Sequence, residues 1–300
     1  IVFQRNNGGR MFLDTTNSEK IYEAVAAAFS TEVEIIREYI MENAEEIVDN
    51  NYDEHSITSM SLYRLKDICQ CAKLNKIKNL IVNHITPREE YKKIWTEGLS
   101  TLPHALINKT VLSEYLAGLG FTFEFIDDHI CMKKDNEEVD VKKLQFSNLL
   151  MRLGGKGTFN DFNINGYLFV DKFEVHNCRG WLGSPEFLKS LATAYADNSI
   201  ANRYADRCNN YLVSFRVPIG KIDLEGFDAD IGEDFKSELL IKYCINRLAF
   251  ATVGKLAVLE MYNPIIFLKR DYDVPTEDVE KIYHLEHSNG TLTPKELSRI

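Results

Sequence analysis

Near Ile77 the repeat of apolar residues changes period, and that change does most to limit the folds open to this chain. Before it the spacing is helical. Ser18-Glu19-Lys20-Ile21 opens one helix, and Ser30 or Thr31 caps a second. In that second helix Ile35, Ile36, Tyr39, Ile40 and Ile47 recur on one stripe. Residues 59–73 resume the pattern after a break at Asn50-Asn51-Tyr52-Asp53. From Ile77 to Ile85 the chain is rich in β-branched residues and reads as a strand. Thr86-Pro87 is expected to stop that strand, with Pro87 in the first turn of a helix that ends at Gly98. Residues 102–119 and 141–153 read as helices, and residues 121–133 as a hairpin turning at Asp127-Asp128. Strands then dominate: 166–170, 211–218, 256–260 and 265–268, with helices opening at Ser184 and Phe235. The expectation is an α+β chain: a helical N-terminal region (1–75), then a split, mainly antiparallel β core (76–300) with a helix and hairpin insertion at about 102–150.

Three hundred residues can bury a large core without a disulfide or metal staple. The net charge of −10 repels bulk nucleic acid and anionic membrane, which excludes nonspecific coating of either. No run of 18 apolar residues exists to span a membrane, and residues 1–14 lack the pattern of a secretory leader. The six cysteines are too sparse for a disulfide scaffold, so reduced thiols in a cytoplasmic protein are expected. The second helix carries Glu32, Glu34, Glu38, Glu42, Glu45, Glu46 and Asp49 opposite its apolar stripe, with Arg37 against them. Such a face is ordinarily solvated, and it could also meet a basic partner.

Most candidate chemistry has a plainer reading. Gly154-Gly155-Lys156-Gly157-Thr158 lacks phosphate-loop spacing and reads as a turn. Asp127-Asp128-His129 with Cys131 reads as a hairpin turn rather than a metal site. His176 and Cys178 would share a strand face, without a third group to orient them. His284 and His287 are expected to face solvent. No metal site is expected. His84 stands apart, because it ends an apolar strand directly before a helix.

Val82-Asn83-His84-Ile85-Thr86, a helix, and then Glu97-Gly98-Leu99 resemble the opening motif of ADP-ribosyltransferases of the histidine–tyrosine–glutamate type. Poly(ADP-ribose) polymerases, diphtheria-type toxins, RNA 2′-phosphotransferases and bacterial DNA-modifying toxins share that core. Gly166-Tyr167-Leu168-Phe169 is similar to the family's second motif, and Leu256-Ala257-Val258-Leu259-Glu260 to its third. The resemblance covers residues 77–280 and keeps the family order His84, Tyr167, Glu260. Tyr195, Tyr204 and Tyr211 compete for the tyrosine role, and Glu238 for the carboxylate.

The resemblance implies NAD as a substrate and transfer of its ADP-ribose to an unidentified protein or nucleic-acid acceptor, or to water. Glu260 would stabilise the oxocarbenium charge that develops on the ribose. His84 would bond a ribose hydroxyl, with Ile85 and Thr86 beside it. The Ile85 backbone would hold the nicotinamide amide, and Tyr167 would stack on its ring. The rival expectation is a non-catalytic interaction or regulatory protein that binds through its acidic helices.

Overall fold

A computed structural model describes residues 11–49, 60–144, 147–154, 161–227, 231–254 and 263–299. The chain is α+β, with helices at its N-terminal end and a mainly antiparallel sheet after them. It forms two compact units whose segments interleave along the sequence, rather than dividing at residue 75.

The first unit comprises Ile1–Asn83, Gly166–Asp171 and Ser214–Phe267. Strand β1 (Met11–Leu13) leads to α1 (Ser18–Phe29), whose N-cap is Asn17, one residue before the expected position. The Asn17 side chain accepts the Lys20 N–H, which satisfies a first-turn donor. Ser30 ends α1 in the left-handed conformation. Helices α2 (Val33–Asp49) and α3 (Met60–Ile68) follow, and α2 buries Ile36, Tyr39, Ile40 and Ile47 as its stripe requires. Strand β2 (Ile77–Arg88) pairs parallel with β1. Past Asn83 the chain enters the other unit, and the first unit resumes at residues 166–171 and 214–267.

The second unit comprises His84–Asn165, Lys172–Val213 and Leu268–Ile300. β2 does not stop at Thr86-Pro87 but runs on to Arg88, and α4 (Tyr91–Glu97) starts only after Glu90. Pro87 fixes a φ that an extended strand tolerates and lacks only the N–H donor, so it need not break the element. α4 ends at Gly98, as expected. The expected helix at 102–119 is two, α5 (Leu102–Ile107) and α6 (Val111–Gly118). Thr110 restarts the second through a capping box with Ser113. Strands β3 (Phe121–Ile126) and β4 (His129–Lys134) form the expected hairpin, and Asp127 and Asp128 both take positive φ at its turn. A two-residue β5 (Glu137–Glu138) completes this small sheet. A 3-10 turn (Val141–Leu144) and α7 (Ser147–Arg152) replace the expected single helix. Gly154 is the one described residue of the glycine-rich run; Gly155 to Thr158 lie outside the described residues.

Strand β6 (Asn165–Tyr167) is shorter than expected. It is followed by β7 (Phe173–Glu174), α8 (Val175–Cys178), α9 (Glu186–Ala194) and α10 (Ser199–Ala205). His176 and Cys178 thus lie on a helical turn, where Cys178 is buried and His176 is exposed beside Glu174. Residues two apart on a helix do not share a face, so that pairing fails. Strand β8 (Asn209–Pro218), β9 (Ile222–Leu224), α11 (Glu233–Thr252) and β10 (Ile265–Leu268) follow. The chain closes with the hairpin β11 (Val279–Ser288) and β12 (Thr291–Leu297), which sequence reading missed. Asn289-Gly290 at its tip is a strong hairpin signal. His284 is accordingly half-buried on β11 instead of facing solvent; His287 is exposed.

In the first unit α1 and α2 pack on α11, and the sheet order is β8–β2–β6–β10–β9 with β1 on β2. In the second unit the order is β7–β12–β11–β8–β2. A separate apolar cluster there gathers Leu116, Phe121, Phe123, Phe162, Phe187 and Leu191 around the small sheet. No two of the six cysteines are joined by a disulfide. Among the described residues, no helix is long and apolar enough to cross a membrane.

Gly98 sits at φ +70°, and a Cβ there would lie 2.2 Å from the Val274 carbonyl oxygen. The bridge between Leu99 and Val274 fixes that backbone. Gly98→Ala should therefore destabilise the fold by about 3 kcal/mol. Chemical denaturation checks this, with Gly232→Ala, where a Cβ meets nothing, as the mild control.

Candidate functional site

β2 carries two polar residues, Asn83 and His84, inside the apolar run Leu80 to Ile85. Successive strand residues point to opposite faces, so the two side chains serve different surroundings.

Asn83 is fully buried in the first unit. Its Nδ2 donates to the carbonyls of Tyr167 and Leu168, at 3.1 Å each. Its Oδ1 accepts the hydroxyl of buried Ser214 on β8. Thr15 Oγ1 donates to the same Leu168 carbonyl. Asn263 brackets the next residue: Phe169 N–H donates to its Oδ1 at 2.9 Å, and its Nδ2 donates to the Phe169 carbonyl at 3.0 Å. Arg247 pairs with Asp171 and lies 5.5 Å from the centre of the Phe169 ring. Gly166 makes this approach possible, because a Cβ there would lie 2.7 Å from the Asn83 carbonyl oxygen. Tyr167 is the register partner of Asn83.

His84 belongs to the second unit. The residue is half-buried, and burial lowers its pKa to about 4. The nearby Arg88 guanidinium acts in the same direction, and the bond to Asn165 opposes both. The imidazole is thus neutral near pH 7. Its Nδ1 lies 2.5 Å from the Asn165 carbonyl oxygen. A carbonyl only accepts, so Nδ1 carries the proton and Nε2 holds a lone pair. Ile85 and Thr86 beside it are buried.

The rival residues fall in different settings. Tyr204 is buried on α10, and desolvation pushes its pKa up to about 12. Tyr195 ends α9 with its ring edge-on to Phe121 at 5.1 Å. Tyr211 lies on β8 in the same unit as His84, its ring 6.1 Å from Tyr91 and 5.8 Å from His284. That three-ring group went unread in the sequence, where no local spacing links residues 91, 211 and 284. Glu238 sits on α11 between Lys66 (3.6 Å) and Lys242 (3.9 Å), which gives it a structural occupation. Glu260 lies outside the described residues, as does the strand expected at 256–260. Tyr167 lies in the first unit and His84 to Thr86 in the second. Among the described residues no cluster of three or more histidines, cysteines or carboxylates could hold a metal ion.

No family model matches this chain, and no curated protein or solved structure does either.

Two predictions follow from β2. Asn83→Ala would strand the Ser214 hydroxyl and weaken the hold on two carbonyls, at a cost of about 2–3 kcal/mol in denaturant unfolding. His84 gives a pH signature. Its pKa is lower folded than unfolded, so the unfolded chain takes up the proton first as pH falls. The contribution is whole above about pH 6.5 and is lost progressively down to about pH 4, by up to about 3 kcal/mol. His84→Gln should flatten that stretch of the stability–pH curve, measured by urea unfolding at a series of pH values.

Proposed function

We propose that this chain binds NAD and breaks the bond between its nicotinamide nitrogen and ribose C1′, passing ADP-ribose to an acceptor nucleophile or to water. The observation that carries the reading is the fixed tautomer of His84. A neutral imidazole whose Nδ1–H is tied to the Asn165 carbonyl presents Nε2 as an acceptor for a sugar hydroxyl. This is the role the resemblance gives to the histidine of its opening motif. The reaction releases neutral nicotinamide, and the acceptor loses its proton as it bonds to C1′. Positive charge develops on the ribose before the new bond forms, and on this reading the Glu260 carboxylate stabilises it. Tyr167 supplies the ring for nicotinamide. Tyr211, which shares a unit with His84, is the rival for that part.

The test is incubation with labelled NAD, reading nicotinamide release and label on protein or nucleic acid. Glu260→Gln keeps size and removes charge, so turnover should fall by about 10² or more, with NAD binding changed much less. His84→Gln should weaken NAD binding. Comparing Tyr167→Ala with Tyr211→Ala identifies the stacking ring by which loses affinity. A folded Glu260→Gln variant with full turnover, or a wild-type chain that neither binds nor cleaves NAD, sinks the reading.

One observation favours a second reading, a non-catalytic protein that docks a basic partner. The six acidic residues of α2 and Glu32 just before it are all exposed, and Arg37 is already paired with Glu19 of α1. Salt-sensitive binding of an oligolysine probe, lost on Glu38→Lys with Glu42→Lys, together with no NAD cleavage, would put this reading first.

A further inference from the structure

The β3–β4 hairpin holds a second imidazole with the same tautomer device, next to a thiol. His129 Nδ1 lies 3.2 Å from the Asp127 carbonyl oxygen, so Nδ1 donates and Nε2 bears the lone pair. Cys131 Sγ lies 3.5 Å from that Nε2. The two residues are two apart on β4 and share its outer face, while Ile130 and Met132 point into the core. A nucleophile, a base and a group that orients the base therefore stand in sequence. A cavity of about 560 Å³ opens beside them, between β4, β5, the 3-10 turn and α7. That is the size of a small-molecule site. Its walls include Val139, Val141 and Leu150, with Glu138, Asp140 and Lys142 as the charged groups. Across the hairpin Glu124 opposes Cys131 and is paired with Lys133, so neither adds a free charge, and Asp128 pairs with Arg270.

We propose that Cys131 and His129 form a thiol-exchange site, and that the adjoining cavity takes a small disulfide. The Cys131 thiol gives its proton to His129 Nε2. The thiolate attacks one sulfur of the bound disulfide, whose S–S bond breaks as the Cys131 mixed disulfide forms. The departing thiolate takes the proton from His129 and leaves as a thiol. One thiol and one disulfide are consumed and one of each is made, so no further oxidant is needed. Asp140 is paired with Lys143, which leaves Glu138 and Lys142 in balance, so the cavity selects by size and not by charge. The site is independent of NAD chemistry.

The experiment treats the intact chain with cystamine and maps modified cysteines by mass. Cys71 is the internal control, because its thiol donates to the Lys73 carbonyl at 3.2 Å and has no histidine beside it. Cys131 should react first with cystamine near pH 7, about tenfold or more faster than Cys71, at a rate that saturates with cystamine. His129→Gln should bring Cys131 down to the rate of Cys71. Val141→Trp should narrow the cavity and weaken saturation while iodoacetamide still alkylates Cys131 at the wild-type rate. Should His129→Gln fail to fold, the wild-type pH profile decides: a rate already level near pH 7 supports the pair, and one rising through the ordinary thiol range near pH 8.5 overturns it. Equal rates at Cys131 and Cys71, or an unchanged rate in folded His129→Gln, would also overturn it.

Discussion

The buried amide of Asn83 is the interaction on which the first unit most depends. β6 has only three residues, so its ladder cannot satisfy the backbone that continues past it. Polar backbone buried without a partner costs about 1–3 kcal/mol per group. The chain answers with side chains. Asn83 holds the carbonyls of Tyr167 and Leu168, Thr15 adds to the second, and Asn263 holds both backbone groups of Phe169. These donors come from three separate segments of sequence, so residues 166–171 are positioned only when all three have folded. The same amide accepts the hydroxyl of Ser214 on β8, the strand next to β2.

One residue further, the strand turns its other face, and the physical problem is different. Asn83 is neutral at every pH and is spent on structure. His84 can titrate, and its surroundings forbid the charged form until the solution is quite acidic. The bond from Nδ1 then decides which nitrogen is left as an acceptor. Its neighbours Ile85 and Thr86 are buried, and Pro87 extends the strand beyond the histidine, so His84 stands within β2 and not at its end.

Much of this was legible in the sequence wherever one short-range pattern governed the outcome. The apolar stripe of α2, the Asp127-Asp128 hairpin and the Gly98 helix stop all follow from local spacing or from a demanded φ. Local reading failed where two local signals competed or where the partner was distant. Asn108-Lys109-Thr110 splits α5 from α6 because the Thr110 capping box outweighs a continuous apolar pattern. The Asn289-Gly290 hairpin carried its signal openly, yet the charged residues around Val279, Tyr283 and Leu285 masked their alternation. For the candidate site, the position of His84 on its strand was readable, but its tautomer was not, because Asn165 is 81 residues away. Asn83 was signalled by a polar residue in an apolar run, a sign that invites the question of what it bonds.

His84 and His129 hold the same tautomer in two settings. In both, a backbone carbonyl accepts the Nδ1–H and leaves Nε2 with its lone pair. Around His84 burial makes a protonated ring costly, so near neutral pH that lone pair can accept a hydrogen bond but does not hold a proton. His129 is half-buried beside the exposed turn at Asp127 and Asp128, and the Cys131 thiol lies 3.5 Å from its Nε2. What sets the two apart is that thiol: in the proposed exchange it gives His129 a proton to move, whereas His84 is proposed to bind and not to transfer.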